Sequence, residues 1–282
     1  MRAGHRVTAL VRDTNRGRQV AALGASPVIG DLGEPATWEE AARGHDGWVH
    51  TAYEHSDRGP ASDRAALDAI LTVARARSAQ SPALVVYTSG IWVLGPAPSP
   101  VDESAPVNPT PRVAWRPAHE RLVLDAGGAA LRTVVIRPGV VYGGSRGLVS
   151  DLLKDGANSL IRVVGDATNR WPFVYNRDLA ELYARIVATP TASGVFHATD
   201  DADLRLSEVV EAIGRAMKTT PSVRHIPIDE ARAKMGNYAD ALALDQVVRS
   251  PRARSIGWAP SLRSLVGNVP RLLEEWRADR ES

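Results

Sequence analysis

The chain contains no cysteine, which excludes disulfides, thiolate zinc centres and cysteine nucleophiles. It has no apolar run long enough for a membrane helix. No cleavable leader is recognisable, because Met1 leads directly into an amphipathic strand, so the expected location is cytoplasmic and no membrane partner is expected. Lysine is nearly absent, occurring only as Lys154, Lys218 and Lys234; the other cations are arginines scattered among acids. With a formal net charge of +2 and no aromatic residues interleaved with the basic ones, the chain is not expected to bind nucleic acid. There is no G-x-G-x-x-G or G-x-x-G-x-x-G turn, the device that holds a pyrophosphate on backbone N–H groups at a helix N-terminus.

The 282 residues suffice for one α/β domain and a modest second lobe. Up to residue 135, short β-branched runs alternate with amphipathic helices, the pattern of parallel βαβ units. Strands are predicted over 5–11, 26–29, 47–52, 83–88 and 131–136. Helices are predicted over 16–23, 35–43, 62–79 and 112–126, and the third carries Leu67, Ile70, Leu71 and Ala74 on one face. Arg2-Ala3-Gly4 reads as the last turn of a preceding helix with its terminating glycine. Residues 95–111, rich in proline, read as a loop. Beyond Gly143 the elements shorten. Helices are expected over 178–188, 207–217 and 229–244, strands over 194–198 and 223–226, and a closing amphipathic segment over 260–277.

Several strand ends carry recurrent motifs: Gly30-Asp31-Leu32, Asp46-Gly-Trp-Val-His50-Thr51-Ala52, Tyr87-Thr88-Ser89-Gly90-Ile-Trp92-Val-Leu-Gly95, and Ile136-Arg-Pro138-Gly139-Val140-Val-Tyr142-Gly143. Further on come Val174-Tyr-Asn-Arg-Asp178-Leu-Ala180 and Ile256-Gly257-Trp258-Ala-Pro260. Their order resembles the extended short-chain dehydrogenase/reductases, the NAD-dependent epimerase/dehydratase group. The resemblance implies a Rossmann-like, doubly wound parallel α/β sheet lacking its first strand and glycine loop, with a smaller C-terminal substrate lobe. Residues 1–143, with returning segments near 174–200, would bind a dinucleotide, and 144–282 would mainly form the substrate lobe.

The resemblance also implies roles. Asp31 and Leu32 contact adenine, Thr51 and Ala52 flank the pyrophosphate and ribose, and Pro138, Gly139 and Val140 close over the nicotinamide end beside Thr88. Ser89 stands one residue short of the catalytic serine position, which Gly90 occupies, but a small backbone adjustment would present its hydroxyl, so Ser89 and Arg116 are the catalytic candidates. The family's Tyr-x-x-x-Lys pair is absent: Arg112 falls at the tyrosine position and Arg116 at the lysine position. An arginine can hold ribose hydroxyls but cannot act as a base near neutral pH. Other candidate acids and bases are His119, Tyr53, His55 and Tyr142. Tyr53, Trp92, Tyr142 and Trp171 are candidates for lining a small-molecule substrate site, and core packing is the alternative for the aromatics.

In open parallel sheets, ligands bind beyond the carboxyl ends of the strands, where these motifs cluster. Arg12, closing the first strand, suits a ribose 2′-phosphate and so favours NADP over NAD; Asp13 can instead cap the next helix. His45, His50 and His55 do not share a helical face, so no metal site is expected. Removing a central strand leaves unpaired edges between the strands at 5–11 and 47–52, which implies that Met1 is a late start. Three functional readings follow: an NAD(P)-binding oxidoreductase or epimerase acting on a small carbonyl, hydroxyl or nucleotide-sugar substrate; a non-catalytic dinucleotide sensor or interaction protein; or an inert truncated product. The resemblance also implies a possible homodimer through the helices over 62–79 and 112–126.

Overall fold

A computed structural model describes residues 4–78, 81–217 and 221–281. The chain divides into two compact units: Met1–Thr88 with Trp115–Val135 and Thr191–Gly194, and Ser89–Ala114 with Ile136–Pro190 and Val195–Ser282. Among the described residues no helix is long and apolar enough to cross a membrane.

The first unit is built from βα repeats, as the alternating pattern predicts. Strand β1 (Thr8–Val11) leads to α1 (Thr14–Ala22) and β2 (Ser26–Ile29). A 3-10 turn and the short α2 (Glu39–Ala42) then precede β3 (Gly47–His50), α3 (Gly59–Arg75) and β4 (Ala83–Thr88). After β5 (Ala97–Val101), which belongs to the second unit, come α4 (Arg116–Asp125) and β6 (Leu131–Pro138). Asp13 caps α1, accepting from the backbone N–H of Arg16 at 2.8 Å. The predicted final turn at residues 2–4 lies mostly outside the described residues; the helix expected over 62–79 instead spans Gly59–Arg75 with Ala76 as its C-cap, and only Ala79 itself lies outside the described residues.

The β1–β2 and β3–β4 ladders of this unit are parallel, but the sheet is interrupted. β1 pairs with β2 from Thr8↔Ser26 to Val11↔Ile29. β3 pairs with β4 in a four-stranded sheet of order Gly194–Ala198, β6, β4, β3. No ladder joins β1 to β3 among the described residues. Accordingly Leu10 on β1 and Val49 on β3 remain 37% and 45% exposed, although buried parallel strands normally cover such side chains. A side-chain contact between His45 Nε2 and Thr8 Oγ1, 2.8 Å long, ties the entries of the two strands.

The second unit has its own core, in which Tyr142, Phe173, Tyr175, Val209, Ile213 and Leu272 are fully or nearly fully buried. Parallel pairs join Val140–Tyr142 to Phe173–Tyr175, Leu160–Val164 to Ser222–Ile226, and β5 to Gln246–Val248. β5 corrects the loop expected at 95–111. Its prolines, Pro98 and Pro100, are tolerated because a two-stranded ribbon consists only of edges.

Two predicted helices also change. Residues 229–244 break at Gly236, where φ is +61°, into Ile228–Met235 and Tyr238–Leu242. The helix expected from 112 begins only at Arg116, since Pro117 fits a first turn and not a helix interior; Arg112 sits in a preceding 3-10 turn.

Asp178, in the first turn of the helix Asn176–Ala188, ties that helix to a distant segment. Its carboxylate accepts from Ser261 Oγ at 2.6 Å and Leu262 N at 3.1 Å, and its carbonyl accepts from Trp258 Nε1 at 2.7 Å. Replacing it leaves a buried N–H unpaired. Asp178→Ala is expected to lower unfolding free energy by about 2–3 kcal/mol, read as a shift of the urea midpoint; an unchanged midpoint refutes this role.

Candidate active site

The carboxyl ends of the first unit's strands gather a set of polar side chains. Arg12, just past β1, is exposed. Asp31, just past β2, folds its turn by accepting from Gly33 N at 2.8 Å, and Leu32 follows half-buried. Past β3, Thr51 and Ala52 are exposed and Tyr53 is half-buried. Glu54 accepts from Ser56 and Ser62 at 2.6 and 3.0 Å, hydrogen bonds that lower its pKa, and Arg58 and Arg12 lower it further. Arg58 lies 3.7 Å from Asp31 and 3.9 Å from Glu54. Gly59 opens α3 where any Cβ would collide with the Glu54 carbonyl, so glycine lets this segment lie against the helix start.

Behind these ends lies a buried polar array centred on Asp63, which is 1% exposed. One carboxylate oxygen meets His50 Nε2 of β3 at 3.0 Å. The other meets His119 Nδ1 of α4 at 2.7 Å and accepts from the Tyr87 hydroxyl of β4 at 3.0 Å. Arg116 Nη1 donates to the Tyr87 hydroxyl at 3.3 Å and to the Thr88 carbonyl at 3.0 Å. Burial pushes the Asp63 carboxyl up. Hydrogen bonds from His119 and His50, helped by the charge of Arg116, outweigh burial and hold it down at about 2. Burial and the neighbouring carboxylate push the Tyr87 phenol up, against the pull of Arg116.

An ionised carboxylate only accepts hydrogen bonds. The ring nitrogens facing Asp63 therefore carry hydrogen: Nε2 of His50 and Nδ1 of His119. In a neutral imidazole this leaves the lone pair of His119 on Nε2. Beside it, Trp115 meets the His119 ring edge-on at 4.9 Å and stacks on Tyr53 at 5.9 Å, 11° from parallel. The Arg116 guanidinium sits 4.5 Å from the Trp115 ring centre and 5.2 Å from that of Tyr53. His55 packs edge-on against Tyr53 at 4.7 Å.

The second unit holds the remaining candidates. Ser89 is buried, and its hydroxyl has no hydrogen-bond partner among the described residues. Trp92 lies edge-on to Tyr238, over which Arg112 is placed at 5.4 Å. Gly139 donates to the Ala198 carbonyl at 2.9 Å, followed by the buried Val140; Pro138 ends β6. Tyr142 and Trp171 lie in the core, and Trp171 Nε1 donates to the Leu242 carbonyl at 3.0 Å. The Tyr142 hydroxyl and one Asp200 carboxyl oxygen are both buried without a partner among the described residues. Burial, reinforced by Asp201, raises the Asp200 carboxyl to about 7.

The motifs and spacing point to His119 and Arg116 but do not single out Asp63. A signal is present: Asp63 precedes Leu67 by four positions and Ile70 by seven, so it falls on the same helical stripe as the apolar core face. A carboxylate there is buried and requires partners. Nothing in the spacing of His50 or Tyr87 indicates that they are those partners.

The family model for the NAD dependent epimerase/dehydratase family matches residues 1–198, and the chain belongs to that family. It is 30% identical over 205 residues to a 2-alkyl-3-oxoalkanoate reductase of Stenotrophomonas maltophilia, covering 67% of this chain and 61% of the relative. Against the 4-hydroxy-2-methyl-3-oxo-4-farnesyl-3,4-dihydroquinoline-1-oxide ketoreductase of Stigmatella aurantiaca it is 35% identical over 147 residues, 50% of this chain and 44% of that protein. The chain thus aligns with less than two thirds of either reductase. The UDP-glucose 4-epimerase of Thermus thermophilus in complex with NAD superposes with a TM-score of 0.81 at 19% identity, covering 98% of this chain and 92% of that one. The Rossmann-like parallel α/β fold expected from the sequence is the fold observed.

Two pH effects follow. The folded value of Asp63 lies below its ordinary 3.8, so its stabilisation is complete above about pH 4 and is lost as pH falls toward 2. Asp63→Asn is expected to cost about 2 kcal/mol at pH 7 and to abolish that acid-dependent loss in denaturant titrations. Asp200 runs the other way: its folded value is raised, so stability is full below about pH 4 and is lost as pH rises toward 7. Asp200→Asn should be more stable than the parent at pH 8, by about 4 kcal/mol, and equal to it near pH 4. A parent stability flat between pH 4 and 8 contradicts this.

Proposed function

We propose that the protein is a nicotinamide-dinucleotide-dependent oxidoreductase acting on a small carbonyl or hydroxyl compound. The observation that carries the reading is the ionised Asp63 with His119, Tyr87 and Arg116, set behind the carboxyl ends of β3 and β4. Ligands bind at that edge of parallel sheets, and acid–base groups are required wherever a carbonyl and an alcohol interconvert. The two reductases to which the chain is similar support carbonyl chemistry over sugar epimerisation.

The residues present fit a dinucleotide in part. Arg12, Asp31 and Leu32, which follow β1 and β2, are assigned to the adenosine half, with the exposed Arg12 favouring the 2′-phosphate of NADP. Thr51, Ala52, Thr88 and Arg116 suit the ribose and nicotinamide half, with Pro138, Gly139 and Val140 assigned to the nicotinamide end. The buried hydroxyl of Ser89, without a partner among the described residues, is a polar group that a ligand can satisfy. A glycine-rich turn for the pyrophosphate is lacking in the sequence. Bound there, the reduced dinucleotide supplies a hydride; the protein's part is to hold the substrate and to move a proton.

A second reading, a non-catalytic dinucleotide sensor, is favoured by one observation: Arg112, at the position where the family places its tyrosine, is engaged over Tyr238.

Calorimetric titration separates these readings. NADPH is expected to bind more tightly than NADH, and Arg12→Ala to erase a preference of about ten-fold, the loss of one charge-assisted phosphate contact. Arg116→Ala should depress ketone reduction followed by loss of NADPH absorbance. Binding with no reduction of any 3-oxo ester or cyclic ketone favours the sensor. Absence of binding by either dinucleotide overturns both readings.

A further inference from the structure

We infer that His119 is the proton-transferring residue of this site, acting through Nε2, and that Asp63 is its positioning residue. The inference rests on the oxidoreductase reading above and assigns its acid–base group. Four observations converge on this imidazole. Its Nδ1 is anchored at 2.7 Å to a carboxylate that is ionised and almost wholly buried. That anchor leaves Nε2 as the nitrogen that exchanges protons. The carboxylate is itself fixed by two further donors from separate strands, His50 and Tyr87, so the imidazole is oriented by a rigid frame and not by a mobile surface acid. Finally, Arg116 lies one helical turn before His119, on the same face of α4.

Other groups of the array are poorly suited. Tyr87 is completely buried and its phenol is pushed up by burial. Arg116 does not release a proton near neutral pH. The titratable and charged groups around His119 are Asp63 of α3, which it meets directly, His50 of β3 and Tyr87 of β4, which share that carboxylate, Arg116 of α4, which donates to Tyr87, and Glu120 of α4, whose charge acts on Tyr87.

The step balances. In carbonyl reduction the hydride supplied by the reduced dinucleotide forms the new C–H bond, and the C=O π pair moves onto oxygen. That oxygen takes the proton from His119 Nε2–H, forming the alcohol and leaving a neutral imidazole with Nδ1–H still bonded to Asp63. Solvent returns the proton to Nε2. In the oxidative direction Nε2 accepts the hydroxyl proton.

His119→Asn is the diagnostic variant, because the asparagine side-chain N–H can still donate to Asp63 while the second ring nitrogen is lost. The full chain and this variant are compared by melting temperature, dinucleotide titration, steady-state reduction across pH, and imidazole nitrogen NMR. The expected result is a kcat lowered about 100-fold or more, with KM and dinucleotide affinity changed less than about three-fold. The limb of the pH–rate profile that falls as pH rises should vanish in the variant. In the parent, NMR should find neutral His119 as the Nδ1–H tautomer, and Asp63→Asn should shift it toward Nε2–H.

A parent His119 in the Nε2–H form overturns the inference even if the asparagine variant fails to fold. So does a folded variant that retains turnover. If the parent binds dinucleotide and turns over while His119→Asn is unimpaired, only this inference fails. If the parent neither binds nor turns over, the oxidoreductase reading fails and this inference falls with it.

Discussion

The polar interior of the first unit depends on one buried carboxylate. An isolated anion in that position would cost several kcal/mol, and the chain meets the cost with three donors from three different elements. β3 contributes His50, β4 contributes Tyr87 and α4 contributes His119. Asp63 therefore fixes the relative placement of two strands and two helices, counting its own. The same bonds that keep it ionised also dictate which nitrogen of each histidine carries a proton. Stability and protonation state are thus set by one geometry.

Arginine at position 116 suits this arrangement in a way lysine could not match. Its planar fork reaches two acceptors, a phenol oxygen and a strand-end carbonyl, while its face lies against two aromatic rings. A lysine supplies a point charge with no face to stack. The guanidinium is a permanent cation, so the positive charge beside the Asp63 array persists at every pH the folded protein meets. Arginine here offers no titratable ammonium, and it supplies a cation at the end of β4.

Much of the fold is legible in the sequence, because hydrophobic period and strand-end motifs are local properties. Ala83–Thr88 reads as a fully buried strand from its composition alone, and the stripe of Leu67, Ile70, Leu71 and Ala74 announces the core face of α3. Less is legible where pairing decides structure. β5 contains two prolines and forms only because Gln246–Val248, far along the chain, lies beside it. The helix predicted over 112–126 is too long because apolar period alone does not place its start, which Pro117 does. Among site residues, the strand-end positions can be located, since their loops follow predictable strands. The Asp63 array cannot be assembled, because its members are contributed by elements up to 69 positions apart, His50 to His119, and their meeting is a property of packing.

The interruption between β1 and β3 has a mechanical consequence. The β1–α1–β2 piece is held by a four-residue ladder, its own helix and a side-chain tie from His45. It has no continuous sheet to share strain with, whereas β4 is locked between two ladder neighbours and roofed by α3. Among the described residues, load on the end of β1, which carries Arg12, therefore reaches the Asp63 array through side chains and the covalent chain and not through backbone ladder bonds.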